Sequence, residues 1–438
     1  MNKLSKNNLI LISLTLFSMF FGAGNLIFPP FLGAQAGTNT WIAMIGFCIS
    51  AIGFPILGVI AVAKSGGLKN LAGRVHPMFA AIFTFLIYLS IGPCLAIPRT
   101  ASTSFEMAVV PFMSGNSNLN LMQIIYSVIF FCIALSLALY PDKLTDRLGK
   151  ILTPCLLILI FIVFIGCLIT PVGKYGLPLN EYASHPLIKG FMDGYLTMDT
   201  IAALNFGIII SLNIKAKGIQ EEGSIVKETI KAGLIAGLVL LLVYISLAHV
   251  GALSGGTFGN STNGAQSLTS IVYALYGKYG IIILAVIFAI ACLNTCVGLI
   301  SCCSEYFSTI IPSISYKKWA YFFAFVSMII SNAGLNKILE VSVPVLNAIY
   351  PIAIVIILLS FIHNLIKNYR FVYPITILMT GLVSITYALF ESKISIPVLT
   401  SLAYKIPFYS VGLGWIIPAI IGIFVGMIIS ISVNKRTL

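Results

Sequence analysis

Two glycines, an asparagine and two prolines interrupt the first apolar stretch of this chain, where Gly22-Ala23-Gly24-Asn25 is followed at once by Leu26-Ile27-Phe28-Pro29-Pro30. A helix that crosses lipid must satisfy its backbone N–H and C=O groups internally. Glycine weakens a helix, and proline removes a donor and clashes with the carbonyl four residues back. A break at this depth frees polar backbone groups, which are tolerated only where protein, water or a ligand satisfies them. In secondary transporters, helices broken in this way form the binding site.

The 438 residues are 59% hydrophobic and 8% charged, with a mean hydropathy of +1.05. So little charge excludes a water-soluble chain of this length and implies a polytopic membrane protein with one membrane domain, residues 1–438. The net charge of +13 does not point to nucleic acid, because the basic residues fall at the ends of apolar segments. The nine cysteines lie in apolar stretches without disulfide or zinc-ligand spacing and read as small buried packing residues. His76, His185, His249 and His363 are scattered and form no metal set. No nucleophile–base arrangement or phosphate loop appears, so neither an enzyme nor a cofactor is expected.

About twelve apolar segments approach the ~20 residues that a bilayer requires. They are 9–32, 41–63, 78–110, 121–139, 151–170, 190–213, 232–252, 280–307, 319–333, 341–362, 371–390 and 411–433. The first is too long for a signal-peptide core and reads as an uncleaved helix. Eighteen Lys and Arg fall in one set of connections and six in the other, with Arg99 apart. By the positive-inside rule both termini are cytoplasmic. Segments one to five (9–170) and six to ten (190–362) form blocks of similar length. An odd number of helices in each makes their topologies opposite, and 371–433 adds two helices. Each block opens on an interrupted helix, the second at Asp193-Gly194-Tyr195-Leu196-Thr197-Met198-Asp199-Thr200. Paired interruptions in corresponding positions are a sequence pointer to a transporter binding site.

Three strings also carry a family resemblance: Phe20-Phe21-Gly22-Ala23-Gly24-Asn25-Leu26-Ile27-Phe28-Pro29-Pro30, Gly92-Pro93-Cys94-Leu95-Ala96-Ile97-Pro98-Arg99-Thr100-Ala101, and Asp193-Gly194-Tyr195-Leu196-Thr197-Met198-Asp199. On these the chain resembles the bacterial branched-chain amino acid carriers, the system II carriers for leucine, isoleucine and valine. The resemblance covers essentially the whole length. It implies an all-α, leucine-transporter-type fold, with ten core helices in two inverted five-helix repeats, plus two more. It also implies symport driven by sodium, or in some members by protons.

Residues for the site follow. Gly22, Ala23, Gly24 and Asn25 are expected at the substrate, with N–H groups after the break facing its carboxylate and carbonyls before it facing a cation. An ionisable residue in mid-membrane is functional by default. Asp199, with Thr197, is therefore expected to take the substrate ammonium or a coupling cation, and a buried carboxylate there is also a candidate proton carrier. By resemblance, Ser18 and Phe21 offer backbone oxygens to sodium and Asn25 a side-chain oxygen, and Asn294 and Thr295 complete that site from the eighth segment. A hydroxyl is usual at both of the latter positions, so Asn294 departs from the pattern. Arg99 and Glu106 stand seven residues apart on one helical face and read as a mutual ion pair at the membrane edge or, for Arg99, as part of an outer gate. The expected protein is a cell-membrane importer of leucine, isoleucine and valine, working by alternating access, with the amino acid, sodium and the bilayer as partners. A same-fold carrier coupled to protons or moving another amino acid is the alternative. The sequence specifies no oligomeric state.

Overall fold

Because backbone groups in lipid must pair within their own segment, a chain this apolar folds into helices, and the described residues contain helices and turns but no strand. The computed structural model describes residues 3–113, 118–139, 141–170, 172–259, 261–394 and 397–436, without the side chains of 141–153, 397, 398, 400 and 434–436. Of the basic residues used to set orientation, Lys143, Arg147, Lys150, Lys435 and Arg436 have side chains outside the described ones.

In chain order the helices are α1 (Lys6–Phe20), α2 (Ala23–Ala36), α3 (Thr40–Cys48), α4 (Phe54–Ser65), α5 (Leu68–Gly73), α6 (Pro77–Leu89), α7 (Ala96–Ala108), α8 (Leu119–Ala138), α9 (Pro141–Ile169), α10 (Glu181–Ser184), α11 (Pro186–Gly194), α12 (Asp199–Ala216), α13 (Glu222–Phe258), α14 (Gly264–Ile310), α15 (Tyr316–Ser331), α16 (Leu335–Phe361), α17 (His363–Ile366), α18 (Val372–Glu391), α19 (Pro397–Ala403) and α20 (Ile416–Arg436). Among the described residues, nine helical stretches are long and apolar enough to cross a bilayer. The longest exceed one crossing. The stretch 23–65 contains a turn at Gly37–Asn39, where Gly37 has φ +49°, and α14 bends at Gly277, where φ is +60°.

The expected segments fall on these helices with two main differences. α9 and α13 begin ten residues, nearly three turns, before the apolar runs because their first turns carry charge. α14 begins at Gly264 rather than near 280, because its first part holds Gln266, Ser267, Thr269, Ser270 and Tyr273 and so is too polar to stand out. The cysteine expectation needs a larger correction. Cys167, Cys292, Cys296 and Cys303 are buried, but Cys94, Cys132 and Cys155 are exposed. In lipid the outside is as apolar as the core, so an apolar neighbourhood does not imply burial. Ile45, Phe161, Leu238, Phe325, Leu382 and Phe424 likewise point outward, each 57–61% exposed.

Packing around the two interrupted helices is reciprocal. α2 lies on α13, and α11 lies on α3. In the first contact the Pro30 carbonyl occupies the place of a Cβ on Gly251, and the Ala248 carbonyl that of one on Gly33. In the second the Leu187 carbonyl does so at Gly46, and the Ala43 carbonyl at Gly190. Small residues let backbones approach this closely, which is how helices associate without a hydrophobic drive between them. Gly251→Val is therefore expected to cost about 1–3 kcal/mol or more, seen as a lower thermal midpoint of the detergent-solubilised protein. Gly298→Ala, whose added Cβ meets nothing within 4 Å, is expected to leave the midpoint unchanged or raise it.

Candidate functional site

α1 stops at Phe20, and Phe21 and Gly22 are extended (φ/ψ −75°/94° and −127°/−166°). The Gly22 N–H, which would have continued the ladder of α1, donates to Asn25 Oδ1 at 3.1 Å. Asn25 thus caps the start of its own helix. Downstream, Pro29 and Pro30 withhold N–H donors from the carbonyls of Asn25 and Leu26. The second break is built differently. α11 ends at Gly194, a short 3₁₀ turn covers Tyr195–Thr197, and buried Met198 adopts φ +67° before α12 starts at Asp199. A left-handed non-glycine residue stores strain and persists only where its surroundings enforce it. Thr197 holds this turn by donating from Oγ1 to Gly194 O (2.9 Å) and accepting from Asp199 N (3.4 Å).

The two breaks meet. Asn25 Nδ2 donates to Asp199 Oδ2 and to the Tyr244 hydroxyl, both at 2.5 Å, and Tyr244 donates to Asp199 Oδ2 at 3.3 Å. All three side chains are essentially inaccessible, at 1%, 3% and 0% exposure. One hydrogen-bonded cluster therefore ties the N-termini of α2 and α12 to the middle of α13. Gly22, Ala23, Gly24, Asn25, Thr197 and Asp199 all line the same small cleft of about 50 Å³.

The other expected residues divide. Thr295 lines that cleft, with its methyl 3.2 Å from where a Gly22 Cβ would stand, and donates to Ala291 O at 3.1 Å. Asn294, about 100° around α14 from Thr295, does not line it, and its buried Oδ1 has no hydrogen-bond partner among the described residues. Ser18 and Phe21 are not among the lining residues, and the Phe21 ring stacks on Phe17 with centroids 5.0 Å apart. The chemistry of this set still suits a hard cation, since an amide oxygen and a hydroxyl keep lone pairs to offer.

The Arg99–Glu106 pair does not form. Seven residues along one helix are about 10.5 Å of axial rise, so a shared face does not bring the charged ends together. Arg99 instead points into the breaks, because α6 and α7 are separated by a bend at Gly92, Pro93 and Leu95. Its Nη1 donates to Leu196 O at 2.6 Å and its Nη2 to Thr197 O at 3.5 Å, and the guanidinium lies 5.3 Å from the Phe28 ring centroid. On the Phe28 side lies a larger cavity of about 480 Å³, lined among others by Ile27, Phe31, Lys189, Asp193, Asn347 and Glu391. Asp193, near the second break in sequence, belongs there and pairs with Lys189 at 2.7 Å. Among the described residues none lines both cavities, and Phe28 and Leu196 stand on the wall of the larger one. Sequence reasoning missed Tyr244. Its signal was a lone hydroxyl within the apolar run Leu240–Ile245, where a buried phenol needs a partner.

Residues 5–433 match the family described as "Branched-chain amino acid transport protein". The chain belongs to this family. It is 42% identical over 427 residues to the branched-chain amino acid permease BraB of Bacillus subtilis, covering 97% of this chain and 96% of that one. It is 39% identical over 429 residues to the branched-chain amino acid transport system 2 carrier protein of Pseudomonas aeruginosa, covering 98% and 97%. These relatives are named as permeases and carriers, not enzymes. With its apolar spans, this member of the branched-chain family is a multi-pass cell-membrane protein. Among solved structures it resembles Mhp1, a nucleobase-cation-symport-1 family transporter, closed with bromovinylhydantoin bound (TM-score 0.61, 14% identity, 97% of this chain and 93% of that one). It also resembles MhsT in complex with L-phenylalanine (TM-score 0.57, 16% identity, 97% and 99%). At these identities the likeness is one of fold.

Losing a buried hydrogen bond to a charged group costs about 1.5–3 kcal/mol, roughly 10- to 150-fold in an equilibrium. Asn25→Ala removes the cap of α2 and the Asp199 and Tyr244 contacts together, and is expected to reduce leucine uptake by cells at least that far. Tyr244→Phe deletes only one hydroxyl and is expected to fall at the lower end, with membrane insertion of both variants intact on immunoblots of the membrane fraction.

Proposed function

We propose that this protein is a secondary symporter that imports leucine, isoleucine and valine together with sodium by alternating access around the cleft between the two breaks. The observation that supports this most is the Asn25–Asp199 contact, which joins the interruptions of two helices far apart in sequence. The amides that open α2 would take the substrate carboxylate. Asp199, with the carbonyls that end α11, would take its ammonium. Two inverted repeats, 9–170 and 190–362, with discontinuous first and sixth helices and two further helices in 371–433, account for the reciprocal packing of α2 on α13 and α11 on α3. The excess of basic residues in one set of connections favours cytoplasmic termini, which puts the larger cavity on the outer side. An aliphatic pocket separates side chains differing by one methylene by only about 1–3 kcal/mol, so one carrier accepts all three substrates. Thr295 and Asn294, with carbonyls of Ser18 and Phe21, are the proposed sodium ligands.

One observation favours protons instead. Of these four residues only Thr295 lines the cleft, whereas Asp199 is a fully buried carboxylate held by two donors. Uptake of labelled leucine into proteoliposomes decides between them. Acceleration by an inward sodium gradient at constant pH is the expected result. Acceleration by a proton gradient alone would replace sodium with protons. No uptake of leucine, isoleucine or valine under any gradient would overturn the reading. Asp199→Ala and Gly24→Leu are expected to abolish uptake in the same assay. At Gly24 even a Cβ would stand 2.7 Å from Arg99 Nη2.

A further inference from the structure

We propose that Arg99 is an internal stand-in for the substrate ammonium, which an incoming amino acid displaces and then re-engages through its carboxylate. The proposal rests on the substrate reading of the cleft given above. Arg99 is 4% exposed, yet among the described residues no carboxylate lies within ion-pairing distance of it. Its partners are the carbonyls of Leu196 and Thr197, at the end of the first half of a broken helix, where unpaired carbonyls carry partial negative charge. Those are acceptors that an ammonium group would need. A guanidinium has five N–H donors, and the buried Nε of Arg99 has no partner among the described residues. Arg99 shares the cleft with Asp199 but makes no direct ion pair with it, and a buried cation with spare donors and no anion in contact is costly to keep. It makes sense where an anion arrives as part of the working cycle.

The available space points the same way. The cleft of about 50 Å³ has room for little more than a water molecule or two, so a leucine entering it must displace something. Arg99 Nη2 stands 2.7 Å from the Cβ position of Gly24, at the first turn of α2. The guanidinium thus lies between the carbonyls of Leu196 and Thr197, in the turn that follows α11, and the amides that open α2. A full amino acid replaces it on the carbonyls with its ammonium and gives it a carboxylate to hold in return, bidentate and charge-assisted. An amine without a carboxylate would free Arg99 from its acceptors and leave it buried and unpaired. A carboxylic acid without an ammonium would leave the carbonyls unclaimed. The exchange therefore selects for the zwitterion.

The test is competition binding on the purified full-length protein with leucine and leucinol, which keeps the ammonium and the side chain but lacks the carboxylate. The wild type is expected to prefer leucine by about 30-fold or more, the lower range for breaking one partner of a buried charge pair. In Arg99→Gln that preference is expected to shrink by about tenfold or more, through loss of leucine affinity, with the α2 amides keeping the remainder. Arg99→Lys, which keeps the charge without the fork, is expected to fall between and serves if the glutamine variant does not fold. A preference unchanged in both variants, or both ligands weakened equally, would show a structural role and overturn the proposal. So would a wild type that binds leucinol as tightly as leucine, whatever the variants do. A wild type that binds none of leucine, isoleucine and valine would overturn the substrate reading, and this proposal with it.

Discussion

Everything at the centre of this protein depends on polar backbone held away from water. At its centre the chain gives up helical hydrogen bonds at two facing breaks, Phe21–Gly22 and Tyr195–Met198. In lipid each freed group would cost several kcal/mol if left alone. The two breaks answer this by facing each other. Asn25 closes the Gly22 N–H with its oxygen and reaches Asp199 and Tyr244 with its nitrogen, while Arg99 covers carbonyls at the second break.

The rest of the fold holds those pieces in register. Glycine-mediated contacts bring α2 against α13 and α11 against α3 at backbone distance, so the two half-helices are fixed by rigid neighbours rather than by loops. The bend before α7 turns a buried stretch with Arg99, Thr100, Ser102, Thr103 and Ser104 toward the centre. Met198 retains a left-handed backbone between Thr197 and Asp199, a strain that the surrounding packing sustains at the point where ligand contacts are proposed. The family relationship supplies the substrate class, and the geometry supplies a reason for it. In the proposed reading, the amides that open α2 and the carbonyls of Leu196 and Thr197 would take the two charged ends of an amino acid.

Much of this was legible in the sequence, for a physical reason. Breakers inside an apolar run have few innocent uses in lipid, so Gly22–Asn25 and Asp193–Thr200 announced both breaks, and the bilayer's thickness made the spans readable. What stayed hidden depends on three-dimensional direction. The spacing of Arg99 and Glu106 suggested a pair because periodicity reports a face and not a distance. Asn294 and Thr295 are neighbours in sequence but point to different sides of α14. Tyr244 lies in another helix altogether, and nothing local to Asn25 or Asp199 names it. The first part of α14 was lost to its own polarity, and the exposed cysteines were misjudged because hydropathy cannot separate a lipid face from a core.

The central claim is that the two helix breaks together form the amino acid site. The most direct measurement is an experimental structure of the full-length protein with leucine bound. This account predicts density for the amino acid backbone between residues 22–25 and 197–199, with the aliphatic side chain against neighbouring apolar residues. Leucine bound elsewhere, with the Asn25–Asp199–Tyr244 cluster unchanged and no ligand against it, would contradict it.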